Sequence, residues 1–200
     1  MDKNLIIPHD IIRCKWCKND PFYIKYHDTE WGVPVFNDKK IFEALLLEIF
    51  QAGLSWSTIL NKRKGLAIVL NNFSCTEISK YSDKKLDELL LDNRIIRNKL
   101  KITSARKNAI AFLNIQKEFG NFSNYIWNFT NYKSIQNKFI SSHQLPSSTA
   151  LSKKISDDLK NRGFQFIGPT IIYSLMQAIG MVNDHTTDCF RHKEIITSNT

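Results

Sequence analysis

An all-α fold is what this 200-residue chain predicts, and three observations carry it. Segments with apolar residues at helical spacing open on capping side chains and close on glycine. No stretch of alternating apolar and polar residues is long enough to read as a strand. Repeats, low-complexity runs and long Pro/Gly/Ser linkers are absent. The length suits one large domain or two small lobes with a real core.

The elements follow in order. "DKKIFEALLLEIFQAG" opens on Asp38 as an N-cap and closes on Gly53 in the C′ position. "SWSTILNKRKGLAIVLNNF" restarts at Ser55, a second N-cap, and shorter helices are expected from Thr76 and Ser82. "KLKITSARKNAIAFLNIQKEFG" is a long helix ending at Gly120, and "NFSNYIWNF" adds a short aromatic one. "SSTALSKKISDDLKNRG" is another helix with glycine after it. "PTIIYSLMQAIG" has Pro169 at the first helical position and Gly180 at the end, the expected asymmetry. Both chain ends are expected to pack together in one lobe.

Composition narrows the class. An apolar fraction of 42% and a charged fraction of 24% are those of an ordinary globular protein. No apolar run is long enough to span a membrane. "MDKNLIIPHD" lacks a signal-peptide core, so a cytoplasmic location is expected. Lys+Arg 28 against Asp+Glu 19 gives +9, which favours an anionic partner, nucleic acid foremost. Four cysteines (Cys14, Cys17, Cys75, Cys189) in a reducing compartment read as metal ligands or bystanders rather than disulfides.

Three constellations carry chemistry. "RCKWCKNDPFYIKYHDTEWG" crowds Cys14, Cys17 and His27 among aromatics, and "NDHTTDC" sets His185 and Cys189 four apart. On a helix that spacing puts both side chains on one face, where they could share a metal. A structural zinc needs four ligands, so either Cys14 and Cys17 or Cys14 and His27 would complete the set. Glu48 is the second anomaly. At 100° per residue Ile41, Leu45, Glu48 and Ala52 share one stripe, with Lys39 and Glu43 opposite. A carboxylate there is costly unless something specific bonds to it. The turn "QAGLSW" places Leu54 and Trp56 beside it, as a pocket for a flat, electron-poor ring would. Third, "LLLDNRIIRNKLKITSARKNA" gathers Arg94, Arg97, Lys99, Lys101, Arg106 and Lys107 around a break between helices, where a phosphate could be held.

"DPFYIKYHDTEWGVPVFNDKKIFEALLLEIFQAGLSW", "NRIIRNKLKI", "KNRGFQFIGPTIIYSLMQAIGMVNDH" and Cys189 together resemble the bacterial 3-methyladenine DNA glycosylase I family, from about Arg13 to about Cys189. The resemblance implies a two-lobed, all-α helix-hairpin-helix glycosylase fold, with one structural zinc joining the N- and C-terminal segments and no organic cofactor. It implies hydrolytic, monofunctional excision of N3-methyladenine from double-stranded alkylated DNA, releasing the free base. Carried over residue by residue, the zinc ligands are Cys14, His27, His185 and Cys189, so Cys14-x-x-Cys17 is a false CxxC. The pocket positions are Glu48, Tyr26 and Trp56, with Trp16 and Trp31 as walls and Leu54 as the wedge that fills the vacated stack. Arg94, Arg97, Lys99 and Lys101 are the expected DNA contacts.

Asp184 is expected to cap the helix carrying His185. "RIIRNKLK" departs from the superfamily in having no glycine in its hairpin. Residues 1–12 are an extension, 13–192 the catalytic domain and 193–200 a tail, and the protein is expected to be a monomer with no membrane partner. A zinc nucleobase deaminase would show H-x-E and P-C-x-x-C, whereas here His27 is followed by Asp28-Thr29-Glu30 and no proline precedes Cys14. A glycosylase-lyase would need a nucleophilic lysine, for which Lys99 or Lys101 would have to stand. A zinc-stabilised DNA-binding module would leave Glu48 unexplained.

Overall fold

The computed structural model describes residues 11–198. Ten α-helices make up most of it: α1 (Pro21–Thr29), α2 (Asp38–Gln51), α3 (Trp56–Val69), α4 (Cys75–Ile78), α5 (Asp83–Leu91), α6 (Lys99–Phe119), α7 (Phe122–Asn128), α8 (Ala150–Asn161), α9 (Pro169–Ala178) and α10 (Phe190–Ser198). A minimal parallel pair joins β1 (Ile135–Gln136) to β2 (Val182–Asn183), with Ile135 opposite Val182. Two residues per strand leave no alternation to detect in the sequence. Among the described residues no helix is long and apolar enough to cross a membrane.

Capping explains where the helices start. Ser55, Ser82, Asn98, Asn121 and Thr149 each accept a hydrogen bond from a backbone N–H in the first turn of the following helix. The α2 cap is Asn37, not Asp38 as expected. With Asn37 filling that role, the Asp38 carboxylate serves another helix, accepting from the backbone N–H of Phe122 and Ser123 at 2.8 Å each. The helix expected from Thr76 begins one residue earlier, on a Ser74 cap. Helix α1 was not anticipated. Its signal is Asp20, whose carboxylate accepts from the N–H of Phe22 and Tyr23, followed by Pro21 at the first position.

Helix α2 lies at the centre of the main core, against α3, α6, α7 and α9. Ile41, Phe42, Leu45, Leu46, Ile49 and Phe50 of α2 are fully buried, each contributing about 1.5–3 kcal/mol of transfer free energy. A smaller cluster gathers Cys14, Tyr26, Trp31 and Cys189 with Trp16, Trp56 and Phe190 around it. The two ends of the described chain meet there, where the Phe190 N–H donates to the Ile12 carbonyl at 3.0 Å. Residues 193–198, within the expected tail, belong to α10. Most of the expected 1–12 extension lies outside the described residues.

Candidate functional site

Between the two clusters opens a cavity of about 350 Å³. All six residues expected to form a base pocket line it: Trp16, Tyr26, Trp31, Glu48, Leu54 and Trp56. Glu48 projects from α2 and is 6% exposed. Burial pushes its carboxyl up to about 8, with no cation or hydrogen-bond donor opposing among the described residues. Tyr26, on α1, is buried, and its ring lies 5.2 Å from that of Trp56. Burial, then the Glu48 charge, holds the Tyr26 hydroxyl well above its ordinary range, so it stays a donor. The Trp56 Nε1 is buried without a hydrogen-bond partner. Trp16 stands edge-on to Trp31 at 5.0 Å, and Leu54 is exposed at the rim after Gly53, whose φ is +76°.

The sequence reading missed Tyr23, Gln51, Ser174 and Gln177 in the same lining. Tyr23 shares one helix face with Tyr26, and its hydroxyl accepts from the Ser57 N–H at 3.1 Å. Ser174 and Gln177 sit three apart on α9, a spacing that could have placed them together. A larger cavity, about 500 Å³, adjoins the far side of Tyr26 and Trp56. There Glu30 and Glu43 are both paired with Arg63 at 2.8 Å, whereas Glu48 in the smaller cavity has no such partner among the described residues. The smaller cavity is the one poised for a ligand.

His27, next to Tyr26 on α1, points into a separate cluster. Ligand atoms of Cys14, His27, His185 and Cys189 all lie within 4.8 Å of one another, and all four side chains are buried. Cys14 Sγ to His185 Nδ1 is 3.5 Å, Cys189 Sγ to His185 Nδ1 is 3.5 Å, and Cys189 Sγ to His27 Nε2 is 3.4 Å. Zn–S and Zn–N bonds of ordinary length in a tetrahedron give an S···N edge of about 3.5 Å. The outer nitrogens are held too: His27 Nδ1 meets Asp28 at 2.7 Å and His185 Nε2 meets the Trp31 carbonyl at 3.0 Å. The cluster could hold a metal ion. Cys17 stands apart, its thiol donating to the Cys14 carbonyl at 3.0 Å.

Two expectations here need correction. His185 and Cys189 meet across a turn that precedes α10, not along a helix. Asp184 therefore caps no helix carrying His185. It is buried and accepts from Tyr173 Oη and Gln177 Nε2 at 2.7 Å and Asn137 Nδ2 at 2.6 Å.

Beside the cavity runs the turn between α5 and α6. Gly65 of α3 packs against it so closely that an added Cβ would lie 2.6 Å from the Arg94 carbonyl. None of the turn's residues has positive φ, and it forms without a glycine. Arg97 and Lys99 are exposed, and Arg94 is exposed but paired with Asp92. Lys101 does not join them. It is 4% exposed, and its Nζ donates to the carbonyls of Phe50 at 2.8 Å and Ala52 at 2.6 Å. A lysine so enclosed reaches neither phosphate nor a sugar C1′, which corrects its assignment as a DNA contact and removes it as a lyase nucleophile.

A cavity walled by aromatic rings around one buried carboxylate, on a helical scaffold, is what a base-excising glycosylase uses. Comparison with known proteins narrows that class: residues 16–192 match the methyladenine glycosylase family, and this chain belongs to it. The DNA-3-methyladenine glycosylase of Haemophilus influenzae is 42% identical over 177 residues, spanning 88% of this chain and 96% of that protein. DNA-3-methyladenine glycosylase 1 of Escherichia coli K12 is 41% identical over 177 residues, 88% and 95% respectively. The crystal structure of a 3-methyladenine DNA glycosylase I superimposes with a TM-score of 0.87 at 41% identity, covering 90% of this chain and 98% of that one. The Staphylococcus aureus enzyme, whose structure addresses 3-methyladenine recognition, gives 0.86 at 30% identity, covering 89% and 95%.

Proposed function

We propose that this chain is a DNA repair glycosylase that extrudes N3-methyladenine from alkylated double-stranded DNA and hydrolyses its glycosidic bond. Water adds at C1′, the C1′–N9 bond breaks, and an abasic site and free 3-methyladenine result, with no lyase step. N3-methylation places formal positive charge on the ring, so the base leaves readily. What remains for the protein is to find it, flip it and tell it from adenine.

One observation carries this reading: Glu48 is buried in the same cavity lining as Trp56, with nothing among the described residues to compensate its charge. A cationic ring entering the cavity supplies the missing partner and draws the carboxyl back to its ionised form. Neutral adenine does not, and is rejected accordingly. The Trp56 face adds about 0.5–2 kcal/mol for a cation over a neutral purine. Glu48 accepts from the exocyclic amine, Tyr26 places a hydroxyl on the same edge, and Leu54 fills the gap in the stack. Trp16 and Trp31 close the walls. Arg94, Arg97 and Lys99 hold phosphate on a helix-hairpin-helix formed by α5, the glycine-free turn and α6.

The tetrahedral spacing of Cys14, His27, His185 and Cys189 supports zinc as the resident ion. Four protein ligands leave no open position for water, so its part is to clamp the chain ends rather than to react. The working form is a cytoplasmic monomer, residues 13–192 forming the catalytic domain. Release of free 3-methyladenine from methylated DNA is the test. DNA binding without base release would reduce the protein to a binding module.

A further inference from the structure

We infer that Lys101 is a positioning residue that fastens the DNA-gripping hairpin to the wedge turn, so that phosphate contact and base extrusion act as one motion. The inference rests on the glycosylase reading above. Lys101 belongs to the first turn of α6, whose start is fixed by the Asn98 side chain accepting from the Lys101 N–H at 3.1 Å. Its Nζ spans to the other end of the site and donates to the carbonyls of Phe50 and Ala52. Those carbonyls belong to the last turn of α2, where helices leave acceptors without intrahelical partners. An ammonium there also opposes the negative end of the helix dipole.

The segment it grips is the one that must hold shape under load. Beyond Ala52 the chain turns through Gly53 and Leu54, with the Leu54 N–H donating to Gln51 O at 2.7 Å and Gln51 Nε2 donating to Leu54 O at 2.9 Å. This turn therefore has one internal staple, Gln51, and one external anchor, Lys101. The anchor is on the same short stretch as Arg97 and Lys99, which face solvent four and two residues earlier. A second fastening, Lys62 Nζ to Asn93 O at 2.8 Å, ties the hairpin to α3. Among the described residues no carboxylate shares the Lys101 ammonium, and its partners are backbone oxygens, so its bonds report on the position of α2's end.

Lys101→Met keeps the aliphatic stem and removes the donors. On methylated duplex DNA it is expected to lower kcat/KM about tenfold, from the loss of a charge-assisted pair. On methylated single strands, where no stack needs filling, the loss should stay within about threefold. The decisive measurement is a double-mutant cycle with Leu54→Ala on the duplex substrate. If Lys101 works through the wedge turn, the double variant is scarcely worse than Leu54→Ala alone. Additive losses, or equal losses on duplex and single strand, would overturn the inference and leave Lys101 as a helix-end stabiliser. Should Lys101→Met not fold, Lys101→Arg, which keeps the charge but displaces the donors, enters the same cycle. A wild-type protein releasing no 3-methyladenine would instead sink the glycosylase reading itself.

Discussion

At Glu48, burial lifts the carboxyl from its ordinary 4.5 to about 8, and the sign of the pH dependence follows. Between those values the folded chain keeps a proton that the unfolded chain has released. The empty protein should therefore lose stability as pH rises from about 4.5 to about 8, by at most about 5 kcal/mol, and level off above. Glu48→Gln should remove this slope and melt at the same or a higher temperature near pH 8, while its affinity for 3-methyladenine falls about tenfold or more. Thermal melts across pH and calorimetric titration with the free base check both halves. A variant that melts lower yet excises normally would make Glu48 a structural group. Trp56→Ala should also lose base binding, but with about 2 kcal/mol of stability, since half-buried aromatic packing goes with it. Glu48 was legible because a single charge interrupts an apolar stripe. Gln177 was not, since a polar residue at the edge of α9 gives no such contrast.

Among the elements, the helices with a cap at one end and glycine or proline punctuation were readable from α2 to α9. Helix α1 was not, because charges break its apolar pattern at nearly every step. The turn holding His185 and Cys189 shows the limit of spacing: four residues apart fits a helix and a tight turn equally well. Lys101 was misread for a reason the sequence contained. Lys99 and Lys101 are two apart on one helix, about 200° around its axis, so both cannot face the same phosphate. A charge count sees the run; only the helical phase shows which member turns inward. For the outward pair, Arg97→Ala with Lys99→Ala should reduce the slope of log affinity against log salt on undamaged duplex by about 2. Affinity for free 3-methyladenine should stay put. An unchanged slope would move the phosphate clamp elsewhere.

For the whole molecule, the four-residue cluster ties the first described segment to the last. Chelation should lower the melting temperature, and His27→Ala should reduce bound zinc while Cys17→Ser leaves it at one ion per chain. Elemental analysis decides the point, and the reverse pattern would relocate the metal to Cys14 and Cys17. The pairing of Cys14 with His185 bridges 171 residues of sequence. Contacts of such separation close late, after the core between them has assembled. A clamp absent from the folding transition state does not speed folding; it slows unfolding. Metal loss should therefore appear as a faster unfolding rate with the refolding rate nearly unchanged. There is a corollary for synthesis. Until His185 and Cys189 leave the ribosome, Cys14 and Cys17 are the only thiols near each other on the growing chain, three residues apart. A metal taken up at that stage would meet Cys17 first, whereas in the folded chain the Cys17 thiol donates to the Cys14 carbonyl and His27 stands in the cluster.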